Sequence, residues 1–235
     1  MSAWKAKRFW KEAAVESVGP GYTVRLDGRP VKTPAKTPLV VPTLALAEAI
    51  AAEWDAQQGA VRPETMPFTR AANSALDKVT PQFDAVVDML AAYGGTDLLC
   101  YRATGPEALV ARQAAAWDPL LDWSATALGA PLRAVAGVMH IAQAPASLDA
   151  LRQPVADMTP FQLAAFHDLV AISGSLVLAL AVIRGRLPCE AAWELSRIDE
   201  NWQIEQWGDD EEAALLTAVR HTDFLQAGRF YALCG

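Results

Sequence analysis

The chain has 235 residues, 52% of them apolar and 20% charged, and a net charge of −7. That is globular composition, with room for one large domain or two small ones, and the acidic balance excludes nucleic acid as a main partner. Three widely spaced cysteines, Cys100, Cys189 and Cys234, supply neither a disulfide framework nor a zinc spacing and read as reduced, buried thiols.

The start, MSAWKAKRFWKEA, is basic but has no apolar stretch of the secretory kind. Residues 1–37 carry eight bases against three acids. The first 42 residues read as strands. Tyr22, Val24 and Leu26 alternate with Thr23, Arg25 and Asp27, the two-residue period of a half-buried strand. Asp27-Gly28 then marks a hairpin, because that pair tolerates the positive φ of a tight turn. Pro30, Pro34, Pro38 and Pro42 confine the strands to edges and short pieces.

After Pro42 the period changes. Thr43 predicts a capped helix from Leu44 to about Gln57, with Leu46, Ile50 and Trp54 on one face. Residues 59–68 form a proline-marked connection. Helices are then expected over about 70–78, 81–93, 106–128, 146–157, 160–172, 175–184, 189–207 and 210–230. Thr80-Pro81 and Thr159-Pro160 each read as an N-cap before a proline, and Gly129, Gly185 and Gly208 as ends. Segments 97–102 and 132–141 read as helix or strand. The uncharged run Leu169–Ile183 has 15 residues, short of the roughly 20 that a membrane span needs. It is expected at a buried helix–helix contact, with Ser173-Gly174-Ser175 at the closest approach. The pattern predicts an α+β fold: a small N-terminal β domain over residues 1–75, with one or two helices, then a larger all-α domain over 76–235.

Residues 190–212 stand apart. They hold Trp193, Trp202 and Trp207, and nine carboxylates against one base, Arg197. On a continuous helix over 190–207, Ala191, Leu195, Ile198 and Trp202 form one stripe, and Trp193, Arg197, Glu200, Ile204 and Trp207 the opposite one. Two stripes mean a helix sandwiched between neighbours, or one with a face left for a partner. In Asp209-Asp210-Glu211-Glu212, Asp209 reads as the N-cap and Glu212 as its capping-box partner. Four acids exceed what a cap needs, and a tryptophan-bearing acidic surface suits recognition of a basic protein.

Catalytic motifs are missing. There is no phosphate loop, dinucleotide fingerprint or nucleophile elbow. His140, His167 and His221 stand alone, and adjacent residues such as His167 and Asp168 point about 100° apart on a helix. No catalytic residue, metal ligand or cofactor site is expected.

The segments RFWK at 8–11, LDGRPVKTP at 26–34, EWDAQ at 53–57, MPFTRAANSALD at 66–77, TDLLCYRA at 96–103, WDPLLDW at 117–123, SGSLVLALA at 173–181 and SRIDENWQIEQWGDDEEA at 196–213 occur in this order. Through them the chain resembles the assembly chaperones that hold the free alpha subunit of the ATP synthase catalytic head, a family of mitochondria and related bacteria. The resemblance implies a β domain followed by a helical domain. It implies no enzymatic activity, no cofactor, no membrane insertion, and binding of the unassembled alpha subunit until its beta partner arrives. It ties function to Asp210, Glu211 and Glu212; Glu200, Glu205 and Trp207 join them as expected partner-binding residues of the same stretch. Without a long N-terminal extension the chain reads as a bacterial, cytoplasmic member; a eukaryotic one would belong in the mitochondrial matrix. Two readings compete: a carboxylate-dependent enzyme, and a permanent scaffold subunit of another complex.

Overall fold

The computed structural model describes residues 7–235, so Met1–Ala6 of the basic start lie outside the described residues. The fold is α+β, with a small N-terminal sheet followed by helices, and the chain forms two compact units.

The first unit comprises residues up to Phe83 together with Thr159–Ala165 and Arg229–Gly235. Its sheet contains β1 (Ala13–Val18), β2 (Gly21–Leu26), β3 (Arg29–Pro30) and β4 (Val40–Val41), with β2 bonded antiparallel to the other three. The Asp-Gly turn forms as expected, with φ of 47° at Asp27 and 79° at Gly28. Asp27 is fixed further because its carboxylate accepts the backbone N–H groups of Lys11 and Glu12, and these donors hold its carboxyl below the usual range. The alternation in β2 is incomplete. Thr23 is buried alongside Val24 because its hydroxyl donates to the Leu39 carbonyl.

Helix α1 (Leu44–Asp55) starts where expected, Thr43 Oγ1 accepting the Leu46 N–H. It buries Leu46, Ala47, Ile50 and Ala51 against Val24, Leu26, Leu39 and Val41. Arg8 binds the end of α1 through the carbonyls of Asp55 and Gln57 and through the Asp55 carboxylate. Glu53 reaches α2 (Pro67–Ser74), accepting the N–H groups of Phe68 at 2.7 Å and Thr69 at 2.8 Å. The chain stays helical beyond α2, through a π turn at Ala75–Val79 and a 3-10 turn at Thr80–Gln82. Thr80 therefore caps nothing, and its hydroxyl donates back to the Ala75 carbonyl.

The second unit comprises Asp84–Met158 and Phe166–Gly228. Its helices are α3 (Phe83–Ala91), α4 (Glu107–Ala127), α5 (Pro145–Ala156), α6 (Pro160–Ser173), α7 (Leu176–Ile183), α8 (Cys189–Ser196), α9 (Ile198–Trp207) and α10 (Glu211–Leu233). The first residue of α3, the start of α6 and the end of α10 belong to the first unit. Of the two ambiguous segments, only β5 (Tyr101–Arg102) and β6 (Val135–Ala136) pair, as a short parallel ladder. Thr159 and Gln162 form a reciprocal capping box at the head of α6.

Most of the apolar run is buried, with residues Leu176 to Ala181 fully covered; Ala171 is exposed, and Ile172, Val182 and Ile183 are half-buried. Gly174, however, is not a point of close approach. Its φ is +70°, and a Cβ there would meet only Leu98 Cβ at 3.9 Å. The glycine ends α6 in a left-handed turn, and Ser175 caps α7. Among the helical segments, close approaches lie instead at glycines that no pattern marked: Gly94, 3.1 Å from Leu151 Cδ1, and Gly228, 2.7 Å from Cys189 Sγ, measured from an added Cβ. Gly174→Ala is therefore expected to lose about 1–2 kcal/mol through backbone conformation alone. Gly174→Asn should recover part of that loss in thermal melts, because asparagine tolerates the left-handed region; a packing defect would show the reverse order.

Candidate functional site

The acidic stretch does not form one helix. The chain breaks at Arg197 (φ −112°, ψ 13°), between α8 and α9. The two-stripe wheel over 190–207 is therefore wrong, since the break rotates the two halves independently. Trp193, grouped with Trp207 on that wheel, is 5% exposed, whereas Trp207 is 79% exposed. The cause lies in the neighbours. Trp117 Nε1 of α4 donates to the Leu195 carbonyl at 2.8 Å, which satisfies one of the acceptors left open at a helix end. Trp193 stacks on His221 of α10, with ring centroids 5.0 Å apart, and Arg197 lies over the Trp193 ring.

Helix α9 is held to α4 by polar contacts. Arg112 binds Glu205 in a two-pronged pair at 2.7 and 2.9 Å and lies over the Trp202 ring. The pair pushes the Glu205 carboxyl down and the Arg112 guanidinium up. Gln113 donates to Asp199, and Glu200 pairs with Arg197 at 3.1 Å. Ile198 is the buried apolar anchor of α9, and Ile204 is exposed.

Gly208 ends α9 with φ of 87°. The cap of α10 falls one residue later than expected: Asp210, not Asp209, accepts the Ala213 N–H at 2.9 Å. The box with Glu212 accordingly does not form, and Glu211 and Glu212 stand exposed in the first turn, where the helix dipole favours them. Of the six expected partner-binding residues, Glu200 and Glu205 are bound to arginines and Asp210 caps its helix. Trp207, Glu211 and Glu212 have no ion pair, hydrogen bond or ring contact among the described residues.

Elsewhere the polar groups serve the fold. Glu53 and Asp97, the carboxyls that burial pushes up, each bind the N-terminus of a helix. The three thiols are free, and burial raises them to about 12 for Cys100, about 11 for Cys189 and about 12 for Cys234. His167 Nδ1 does reach Asp168, at 2.9 Å, although the two are adjacent in sequence; the hydrogen bond raises the imidazole. Among the described residues no group of three or more His, Cys, Asp or Glu could hold a metal, and no helix is long and apolar enough to cross a membrane.

Comparison with known proteins identifies the architecture. A model of the ATP12 chaperone protein family matches residues 7–125. The mitochondrial protein atp12 of Schizosaccharomyces pombe is 28% identical over 221 residues, covering 88% of this chain and 75% of that relative. The crystal structure of Atp12 from Paracoccus denitrificans superposes with a TM-score of 0.96 at 54% identity, covering 99% of this chain and all of the other. A structure from Agrobacterium tumefaciens gives 0.94 at 44% identity, covering 97% of this chain and 86% of that one. With the family model and the Paracoccus structure in agreement, the chain belongs to the ATP12 chaperone family.

Proposed function

We propose that the protein is an ATP-independent assembly chaperone. It binds the free alpha subunit of the ATP synthase catalytic head and prevents its aggregation until the beta subunit takes its place. It acts in the bacterial cytoplasm, by binding alone, with no catalytic step, metal or cofactor. Membership of a family of chaperones carries this reading. An unassembled ring subunit exposes surface meant for its neighbour, and such surface aggregates. A chaperone for it must capture quickly and release to the true partner, which charge-rich contacts favour.

The binding region in this reading is the end of α9 and the start of α10: Trp207, Asp210, Glu211 and Glu212, with Glu200 and Glu205 behind them on their arginines. Support comes from the unpaired acids and the bare indole. The test is Glu211→Lys with Glu212→Lys. Both side chains are exposed, so the variant should fold, losing about 1 kcal/mol from the helix dipole. It should fail to keep the alpha subunit soluble, and wild-type binding should weaken as salt rises. Thermal stability and solubilisation are measured on the same preparations. Full solubilisation by the folded variant would falsify the acidic site.

A further inference from the structure

Helix α10 changes character along its length. Its later turns bury Phe224, Ala227 and Phe230. Its first turns touch the rest of their unit on one side only: Thr217 lies near Arg197, and His221 lies on Trp193 and beside Glu190. At about 100° per residue, Leu215, Val219 and Leu216 share an arc of about 100° on the side away from Thr217 and His221. They are 70%, 59% and 61% exposed. One exposed leucine needs no explanation; three large apolar side chains within a turn and a half, on the uncovered side of a capped helix, form a continuous strip.

The same arc carries Glu212 one turn before the strip and Asp223 one turn after it. Neither acid has an ion pair among the described residues. The segment 209–223 holds five carboxylates against a single arginine, Arg220. An apolar strip with carboxylates at both ends repels a second copy of itself and an anionic lipid surface alike. It complements an apolar segment with lysine or arginine at both ends. A helix presenting residues at i, i+3 and i+4 can lie along such a strip.

We propose that Leu215, Leu216 and Val219 form a docking strip for an amphipathic, basic-flanked helix of a client protein, aligned by Glu212 and Asp223. The client's identity rests on the function proposed above, while the strip and the chemistry of its occupant rest on α10. Apolar contact then supplies the hold, and the acids supply direction and speed of capture.

The experiment uses the full chain and two fluorescein-labelled probes of about 16 residues, built of leucine and alanine. One has lysines at both ends, the other glutamates. Leu215→Gln, Leu216→Gln and Val219→Gln are combined, because glutamine keeps the helix and removes the apolar surface. Ala218→Gln, exposed but outside the arc, is the control. Anisotropy titration should show the lysine probe binding wild type and control alike, with the triple variant at least about ten-fold weaker at an unchanged melting temperature. The glutamate probe should bind wild type at least about ten-fold more weakly than the lysine probe. Equal binding by the triple variant overturns the strip, and equal binding of the two probes overturns the role of the acids. If the triple variant does not fold, Leu215→Gln and Leu216→Gln alone replace it, with about five-fold weakening expected. A wild-type dimer in sedimentation that the triple variant turns into monomer makes the occupant a second copy and overturns the proposal. An aggregation assay on the alpha subunit separates the two readings. If wild type fails there while strip-dependent probe binding holds, the client assignment falls and the strip stands.

Discussion

Asp97→Ala should be among the most destabilising single substitutions in this chain, at about 3–5 kcal/mol by denaturant unfolding. Asp97 is fully buried. Its Oδ1 accepts the Leu99 N–H at 3.0 Å and the Ser175 hydroxyl at 2.8 Å, and its Oδ2 accepts the Val177 N–H at 3.0 Å. The Ser175 oxygen in turn accepts the Leu178 N–H at 3.0 Å. One carboxylate thus closes the head of α7, the most completely buried helix of its unit. Alanine leaves these donors without an acceptor and without water, a cost of about 1–3 kcal/mol for each uncompensated group before relaxation. Asparagine keeps the shape and one acceptor but turns an N–H₂ toward at least one N–H or O–H donor. It should cost about 1–3 kcal/mol, with an unchanged denaturant slope. An alanine variant as stable as wild type would mean that α7 does not depend on this cap.

Trp117→Ala should cost a similar amount, about 3–5 kcal/mol, from the cavity left by a fully buried indole. The more informative variant is Trp117→Phe. It retains most of the apolar contact and loses the Nε1 donor to Leu195, so the loss should fall to about 1–3 kcal/mol. That bond fixes the end of α8 just before the Arg197 break, and the break sets the direction in which α9 leaves. On the function proposed above, the phenylalanine variant should therefore also bind the alpha subunit more weakly than its remaining stability accounts for, when both are measured at a temperature where it is fully folded. Loss of stability with client binding intact would show that the contacts of Arg112 and Gln113 position α9 without the Trp117 bond.

These two residues also show what could be read from sequence and what could not. Thr43 and Thr159 cap helices through backbone groups within a few positions, and the Asp27-Gly28 turn needs only its own backbone conformation, so their chemistry is visible in a short window. Asp97 acts on Ser175, 78 positions away, and Glu53 on Thr69, 16 away. Nothing local distinguishes them from solvated acids. Arg8 likewise sits in a run of surface-like bases, yet it closes α1 some 47 positions on. The break at Arg197 was invisible for the same reason: helix propensity continues through it, and the bond that ends α8 comes from Trp117, 78 positions upstream. The acidic stretch was legible as unusual in composition. Which of its acids are free was not, because Glu205 finds its arginine 93 positions away. The offset between Asp209 and Asp210 is a smaller case; adjacent acids compete for one cap, and only backbone geometry chooses between them.

The divided character of α10 bears on how such a protein can change over time. The turns that bury Phe224, Ala227 and Phe230 carry most of the folding free energy of the helix, and substitution there endangers the fold. The opening turns carry much less of it. Mutations at Leu215, Leu216 or Val219 are nearly silent for folding, and those at Glu211 and Glu212 cost about 1 kcal/mol, so under the docking role proposed above selection on that surface answers mainly to the client. Client preference can therefore drift in small steps along one helix without passing through an unfolded intermediate genotype.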